Sequence, residues 1–493
     1  MCKGLGRLNL EEVCSHLCGG RAENPGGGEG ISVHPTGIRT QISPSSAVQY
    51  IAKCYIFYGT LVFLWLEFIW ETYLGLRQHR VYKNAIEIPL ELEGIFDEQT
   101  YVNARLYGWD RNSFVITQDI ISIVTLTLHI LFNVYYHAWN LSGHVLRKLG
   151  YVTFNETLQT VLFVFFMDIL NVIKTLPISL YYTFVLEENY GLNTRTVGLF
   201  LEDTLKLFVL VQLVVFLLVS AMIFLIHTAG EYFFTYLWGF TVLLSLIISN
   251  LFPTYIAPLF NNYTQLPEGE LRSNIESLAA SMNFPLSEIY VMETSDRTSH
   301  SNAYFYGFWN NKRIVLTNSL LKQPDEESDS DEDSDENKMT PKGLEDDEVL
   351  AIVAHELGHW QMNHIPLQIV LNYSLMLVSY TLIGFLFKQD SLYRAFGFVD
   401  QGAPIFIKLV LILQFILTPY IALINTLLTN VSRRMEFQAD DFAVSLGFRE
   451  KSRRALIKIH KDNLAFPDYD WMYSTWYHSH PTLLERLRRL TED

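Results

Sequence analysis

Charge is scarce in this chain of 493 residues: Asp, Glu, Lys and Arg make up 18% of it. Soluble globular proteins carry about 25%. With 49% hydrophobic residues, 14% aromatics and a mean hydropathy of +0.16, the deficit implies a surface that faces lipid. No basic stripe is present to neutralise phosphates, which disfavours a nucleic-acid partner. Cysteine is nearly missing. The four present, Cys2, Cys14, Cys18 and Cys54, all lie in the first 54 residues, so the rest of the chain forms neither a disulfide nor a thiolate metal site. Cys14 and Cys18 have nothing downstream to complete a zinc site. The net charge of −16 is localised: residues 325–348 hold 13 acidic and 2 basic side chains and account for −11 of it.

Long apolar runs are what the chain has. Residues 1–47, rich in Gly, Ser and Pro and without periodicity, read as a disordered extension. No signal-peptide-like core precedes residue 50, so Tyr55–Leu76 reads as an uncleaved first span. Six further runs, at 115–139, 158–185, 205–227, 232–256, 365–387 and 404–430, reach or approach the roughly 20 residues that cross a bilayer. Glu67, Asp119, Asp168 and Lys174 fall inside these runs. Ionisable groups at such depth are expected to face other helices or a water-filled space; Glu67 and Asp119 read equally well as interfacial. Arg77, Arg80 and Lys83 follow the first span and place that loop in the cytosol, with the N-terminus lumenal. Arg147 and Lys148 run against that orientation, and Asn140 and Asn155 lie in glycosylation sequons on the lumenal loop it implies.

The expected organisation is therefore a first block of five spans (48–256), a soluble part (257–364), two more spans (365–430) and a second soluble part (431–493). Within the first soluble part, Gly269–Met282 predicts an amphipathic helix and Ser287–Met292 a strand. Ala303–Phe308 and Arg313–Thr317 predict a strand pair turning at Asn310-Asn311. The acidic stretch Asp325–Glu336, within 323–344, predicts a solvated loop, and 431–493 reads as mostly helical.

Chemistry enters after the acidic loop. A helix predicted over 346–363 carries His355-Glu356-Leu-Gly-His359, whose two imidazoles lie one turn apart on one face. Two neutral nitrogens so spaced can reach one Zn²⁺, with Glu356 beside them as the base for water held there. A catalytic site needs a third ligand. Glu436 and Asp440, also four apart, are candidates, one for the metal and one for the free N–H of a ligand histidine; taken alone the pair reads equally as a solvated face. Two spans separate His359 from Glu436, so both lie on the same side of the bilayer, as a shared site requires.

The combination of His355-Glu-Leu-Gly-His359-Trp, Ser432-Arg-Arg-Met-Glu436-Phe-Gln-Ala-Asp440, Ser479-His480-Pro-Thr-Leu-Leu-Glu-Arg486-Leu, Ser299-His-Ser-Asn302-Ala303-Tyr304 and Tyr255-Ile-Ala-Pro-Leu-Phe260 resembles the type I CAAX prenyl proteases. The resemblance runs from about residue 50 to the C-terminus. It implies a mainly α polytopic membrane protein in which seven transmembrane helices enclose a hydrated chamber. A cytosolic, gluzincin-like zinc protease domain with a small β-sheet caps that chamber. It implies one Zn²⁺ per chain held by His355, His359 and Glu436, with Glu356 as general base and Asp440 behind a ligand histidine.

By the same resemblance, Asn302, Ala303 and Tyr304 form an edge strand that pairs with substrate, although Asn302 by itself reads as a turn former. His480 would donate to the oxyanion; its other reading is a helix start with Pro481 in the first helical position. Arg486 reads as a structural ion pair to a buried carboxylate. The implied substrates are prenylated CAAX proteins, cut after the modified cysteine. The chain is expected to act as a monomer in the endoplasmic reticulum membrane and inner nuclear membrane. A quality-control protease cutting unprenylated or translocon-jammed chains would use the same residues. A seven-span receptor predicts short loops, which the 257–364 segment contradicts, and an inert scaffold would not keep a complete ligand set.

Overall fold

Apolar runs have one way to satisfy their backbone in lipid, the helix, and helices dominate this fold, even where Pro177 sits inside one. The computed structural model describes residues 44–151, 153–293, 302–307, 311–322, 343–398 and 402–491. The acidic stretch, Ser299, Phe308 and Asn310 lie outside these, as do residues 1–43. Helix α1 (Pro44–Asn84) therefore starts within what the sequence assigns to the N-terminal extension. Helix α2 (Glu98–Leu131) is capped by Asp97, whose side chain accepts from Thr100 N at 2.7 Å. Asn133, in the left-handed region (φ 48°), then turns the chain into α3 (Val134–Lys148). The expected second span, 115–139, is thus not one helix; a short polar side chain tolerates the left-handed geometry that ends it.

Helix α4 (Glu156–Tyr181) continues as a π-helical turn to Glu187. Helices α5 (Val197–Ala229) and α6 (Phe233–Leu251) are separated at Gly230, φ 61° and ψ −131°, and pack against each other. By length and composition five helical stretches among the described residues can cross a membrane, Val197–Leu259 counting as one. A sixth arises if a later bent pair is one span.

Between the apolar helices lies a small mixed sheet. Strand β1 (Asn262–Gln265), which the sequence did not announce, precedes helix α7 (Glu270–Ser281) and strands β2 (Leu286–Glu293), β3 (Ala303–Tyr306) and β4 (Lys312–Thr317). The order is β1-β2-β4-β3, with β2 and β4 parallel and β3 antiparallel to β4 at the sheet's end. Helix α8 (Asp346–Gln361) opens with a reciprocal cap between Glu345 and Glu348. It lays Val349, Val353 and Leu357 on Ile289, Ile314 and Leu316 of the sheet and Ile275 of α7.

Helix α9 (His364–Phe387), the short α10 (Asp390–Arg394) and α11 (Ile405–Leu411) lead into α12 (Thr418–Ser445). The expected span 404–430 is bent by 64° between Ile416 and Thr418. Helices α13 (Arg449–Asp462), α14 (Trp471–Tyr477) and α15 (Leu483–Thr491) complete the mostly helical C-terminal segment. That segment is fastened to the first two helices: Leu456, Ile457, Phe466, Leu483 and Leu487 bury against Tyr82, Leu92 and Tyr101. Arg77 clamps Asp470 through Nε at 2.9 Å and Nη2 at 2.7 Å.

The ionisable groups inside the apolar runs find polar surroundings. Asp168 accepts from Gln212 Nε2 of α5 at 2.7 Å, so it serves helix packing. Lys174 lines a cavity of about 410 Å³ with His129, Asn171 and Gln414.

Helices α8 and α12 meet at Gly358. A Cβ there would stand 3.0 Å from Phe442 Cδ1, 3.2 Å from Phe442 Cβ and 3.3 Å from Ala439 Cα. Gly358→Val should push the two helices apart and cost about 1–3 kcal/mol. Thermal unfolding in detergent should show the drop, with Gly358→Ala falling between; an unchanged midpoint would remove the close-approach argument.

Candidate metal centre

Helical spacing puts His355 and His359 one turn apart on α8 and Glu436 and Asp440 one turn apart on α12, and the contact at Gly358 turns the two pairs toward each other. His355 Nε2 and His359 Nε2 are 3.3 Å apart. His359 Nε2 lies 3.3 Å from Glu436 Oε1, and His355 Nε2 lies 3.4 Å from Glu436 Oε2. A tetrahedral ion bound at about 2.0–2.1 Å separates its ligand atoms by about 3.3–3.4 Å. The two imidazole nitrogens therefore have the edge length of a zinc tetrahedron, and each faces one oxygen of Glu436 at a similar distance. Their ligand atoms form the one group of this kind among the described residues.

Hydrogen bonds behind the ligands fix which nitrogen is bare. Asp440 is an acceptor only, held by Arg486 Nε at 2.8 Å and by Arg486 Nη2, so His355 Nδ1, 2.9 Å from Asp440 Oδ1, must donate. That leaves the lone pair of His355 on Nε2, facing the centre. A second chain acts on His359. Gln438 Oε1 accepts a hydrogen bond from His364 Nε2–H at 3.0 Å, which makes His364 Nδ1 an acceptor for His359 Nδ1–H, also at 3.0 Å. Nε2 of His359 is then bare too. Orientation of this kind raises ligand basicity and sets the tautomer.

The electrostatics favour a cation. Glu436 is 4% exposed, and its Oε2 has no aligned hydrogen-bond donor, although His480 Nδ1 approaches it to 2.8 Å. Burial acts to lower the pKa of His355, but the carboxylates of Asp440 and Glu436 on either side of the ring outweigh burial and, with no cation between the ligands, lift it to about 9. A positive charge is thus drawn to the gap between the imidazoles and Glu436. Burial pushes the Glu356 carboxyl above its ordinary range, with His355, His359, Glu436 and His480 all in electrostatic reach. Glu356 is half-buried.

The other expected residues fall as follows. His480, with a 69% exposed side chain, stands at the open side of Glu436. Its loop is fixed by Arg433, which donates to its carbonyl at 3.3 Å, to Ser474 Oγ at 2.9 Å and twice to Glu485 at 2.8 Å. Arg486 makes the expected ion pair to a buried carboxylate, Asp440. Ala303 begins the edge strand β3, which lies beside α8. Asn302 bonds Thr317 on one side, and its own Oδ1 accepts from the Ala303 N–H at 2.9 Å. That N–H is therefore already covered. Tyr304 hydrogen-bonds Tyr263 and does not join the centre.

His364, Gln438 and Arg433 were not foreseen. For His364 the signal was present, a third histidine five residues beyond His359. What the sequence hid is the left-handed Asn363 (φ 56°) that turns it back.

Comparison with known proteins agrees with this geometry. Residues 265–493 match the model of peptidase family M48, and residues 78–262 match that of the CAAX prenyl protease N-terminal region, with five membrane helices. The chain is 41% identical over 452 residues to the CAAX prenyl protease 1 homolog of Mus musculus, covering 88% of this chain and 95% of that one. It is 40% identical over 447 residues to the homolog of Taenia solium, covering 88% and 94%. The crystal structure of S. mikatae Ste24p superposes with a TM-score of 0.78 at 31% identity, covering 89% of this chain and 98% of that one.

If the His364–Gln438 chain fixes the His359 tautomer, His364→Phe should weaken zinc affinity about 10–100-fold. Competition against a chromophoric chelator measures this, and circular dichroism controls for folding; unchanged affinity would show that the chain does not orient the ligand.

Proposed function

The chain belongs to peptidase family M48, and from that premise we propose that it is a zinc metalloendopeptidase that removes the C-terminal tripeptide from prenylated CAAX proteins. The observation that carries the chemistry is the convergence of His355, His359 and Glu436 within metal-binding reach of one another, with Glu356 beside them. His355, His359 and Glu436 would hold the ion, oriented by Asp440 and His364. When bound, zinc supplies Lewis-acid chemistry, lowering the pKa of water and polarising a carbonyl.

The remaining work falls to side chains. Glu356 takes the proton of the attacking water and returns it to the leaving amine. Its burial favours holding that proton between the two transfers. His480 donates to the oxyanion that develops on the peptide carbonyl. Strand β3 offers its free edge to the substrate backbone, in the manner of strand addition. For Ala303 N to take part, the Asn302 side chain must first give up its hold on that N–H.

The membrane brings substrate to the site. A prenyl chain contributes about 0.8 kcal/mol per buried CH₂, so its bearer stays at the bilayer surface. We read seven crossings, the break at Gly230 dividing Val197–Leu259 into two and the bent pair at Ile416 counting as one. Arg77, Arg80 and Lys83 support a cytosolic face for the centre, and kinship with the CAAX prenyl proteases supports location in the endoplasmic reticulum membrane. The relatives' names favour CAAX processing over the cutting of unprenylated, translocon-jammed chains.

Two outcomes test this reading. Glu356→Gln should keep its zinc by elemental analysis and lose peptide cleavage by several orders of magnitude; turnover near the unaltered level would remove the base. The unaltered enzyme should cut a farnesylated CAAX peptide much faster than its unprenylated counterpart, reversibly with chelation. Equal rates on both would favour the quality-control reading.

A further inference from the structure

A cavity of about 510 Å³ lies between α1, α2 and the segment running through α14 to His478. One wall carries Arg111 of α2, an accessible side chain that opens onto it. The neighbouring arginines are all engaged: Arg77 on Asp470, Arg433 on Glu485, Arg486 on Asp440. Arg111 differs. Tyr107, Tyr469 and Tyr473 line the same cavity, and with Tyr182 they lie in electrostatic reach of its guanidinium. Among the described residues no carboxylate makes an ion pair with it, and Glu187, which feels its charge, is hydrogen-bonded to Tyr182. A guanidinium ringed by phenol donors and left without a counter-charge is a receptor for a carboxylate.

The cavity reaches toward the metal centre at His478. That residue lines the cavity, lies two positions before His480, and is within electrostatic range of both His480 and Arg111. Glu71 and Asp119 also line the cavity. Asp119 is eight residues from Arg111, about 12 Å along α2, so the cavity is cationic at one end and acidic at the other. An incoming carboxylate is directed to Arg111. In a CAAX substrate the free carboxylate lies three residues beyond the bond to be cut, about 10 Å in extended chain.

Resting on the protease reading above, we propose that Arg111 binds the free C-terminal carboxylate of the substrate and thereby measures the distance from the chain end to the scissile bond. The test compares two farnesylated CAAX peptides, one ending in a free acid and one in a C-terminal amide, with the unaltered enzyme, Arg111→Gln and Arg111→Lys. The unaltered enzyme should prefer the acid about 10–100-fold in kcat/KM, the range of a charge-assisted hydrogen bond. Arg111→Gln should abolish that preference by slowing the acid alone, with amide cleavage and zinc content unchanged, and Arg111→Lys should restore part of it. Equal cleavage of acid and amide by the unaltered enzyme would overturn the proposal, as would a preference that survives in Arg111→Gln. Failure of the unaltered enzyme to cut either peptide would remove the protease reading and this inference with it.

Discussion

The close approach of α8 and α12 is the constraint on which the rest depends. One helix brings two imidazoles, the other the carboxylate proposed as third ligand and another that orients the first imidazole. Neither helix makes a site alone, and a Cβ at 358 would crowd Phe442 and Ala439 at 3.0–3.3 Å where they meet. The buried polar groups gathered there would be costly if left unpaired. They are paired in a layered way instead: Arg486 neutralises Asp440, Asp440 orients His355, and Gln438 and His364 orient His359. What stays uncompensated is a gap lined by two bare nitrogens and Glu436, which is the shape and charge a small dication requires.

The second layer of dependence is the fastening of the C-terminal segment. His480 and Arg486 reach the centre from a segment that follows α12. Its position is set by apolar packing on α1 and α2 and by the clamp of Arg77 on Asp470. Helices of membrane length therefore take part in building the site as well as holding it at the bilayer. The same contact between the C-terminal segment and the first two helices encloses the cavity that Arg111 lines.

Much of the centre could be read from the chain because its information is periodic and local. His355 and His359, like Glu436 and Asp440, announce themselves by a spacing of four on a helix, and Arg486 by a charge too near an apolar stripe to be left unpaired. The strands at 286–293 and 312–317 followed from short β-branched runs between turn signals. What could not be read depends on single backbone conformations or on contacts between distant segments. Asn133 and Asn363 enter the left-handed region and redirect helices that hydropathy would run straight through. The bend before Thr418 falls inside an apolar run beside Gln414 and Pro419, which hydropathy alone does not weigh. The engagement of His364 by Gln438 joins residues 74 apart, and the place of Arg111 on a cavity wall is visible only once the C-terminal segment is packed on the first two helices.

The account's central claim, that His355, His359 and Glu436 share one divalent ion, is tested most directly by zinc-edge X-ray absorption on the purified full-length protein. The account predicts one zinc per chain in a four-coordinate shell of nitrogen and oxygen at about 2.0–2.1 Å, with the scattering signature of two imidazoles, and loss of that zinc in Glu436→Ala. A protein that carries no zinc, or a spectrum and stoichiometry unaltered by Glu436→Ala, would contradict it.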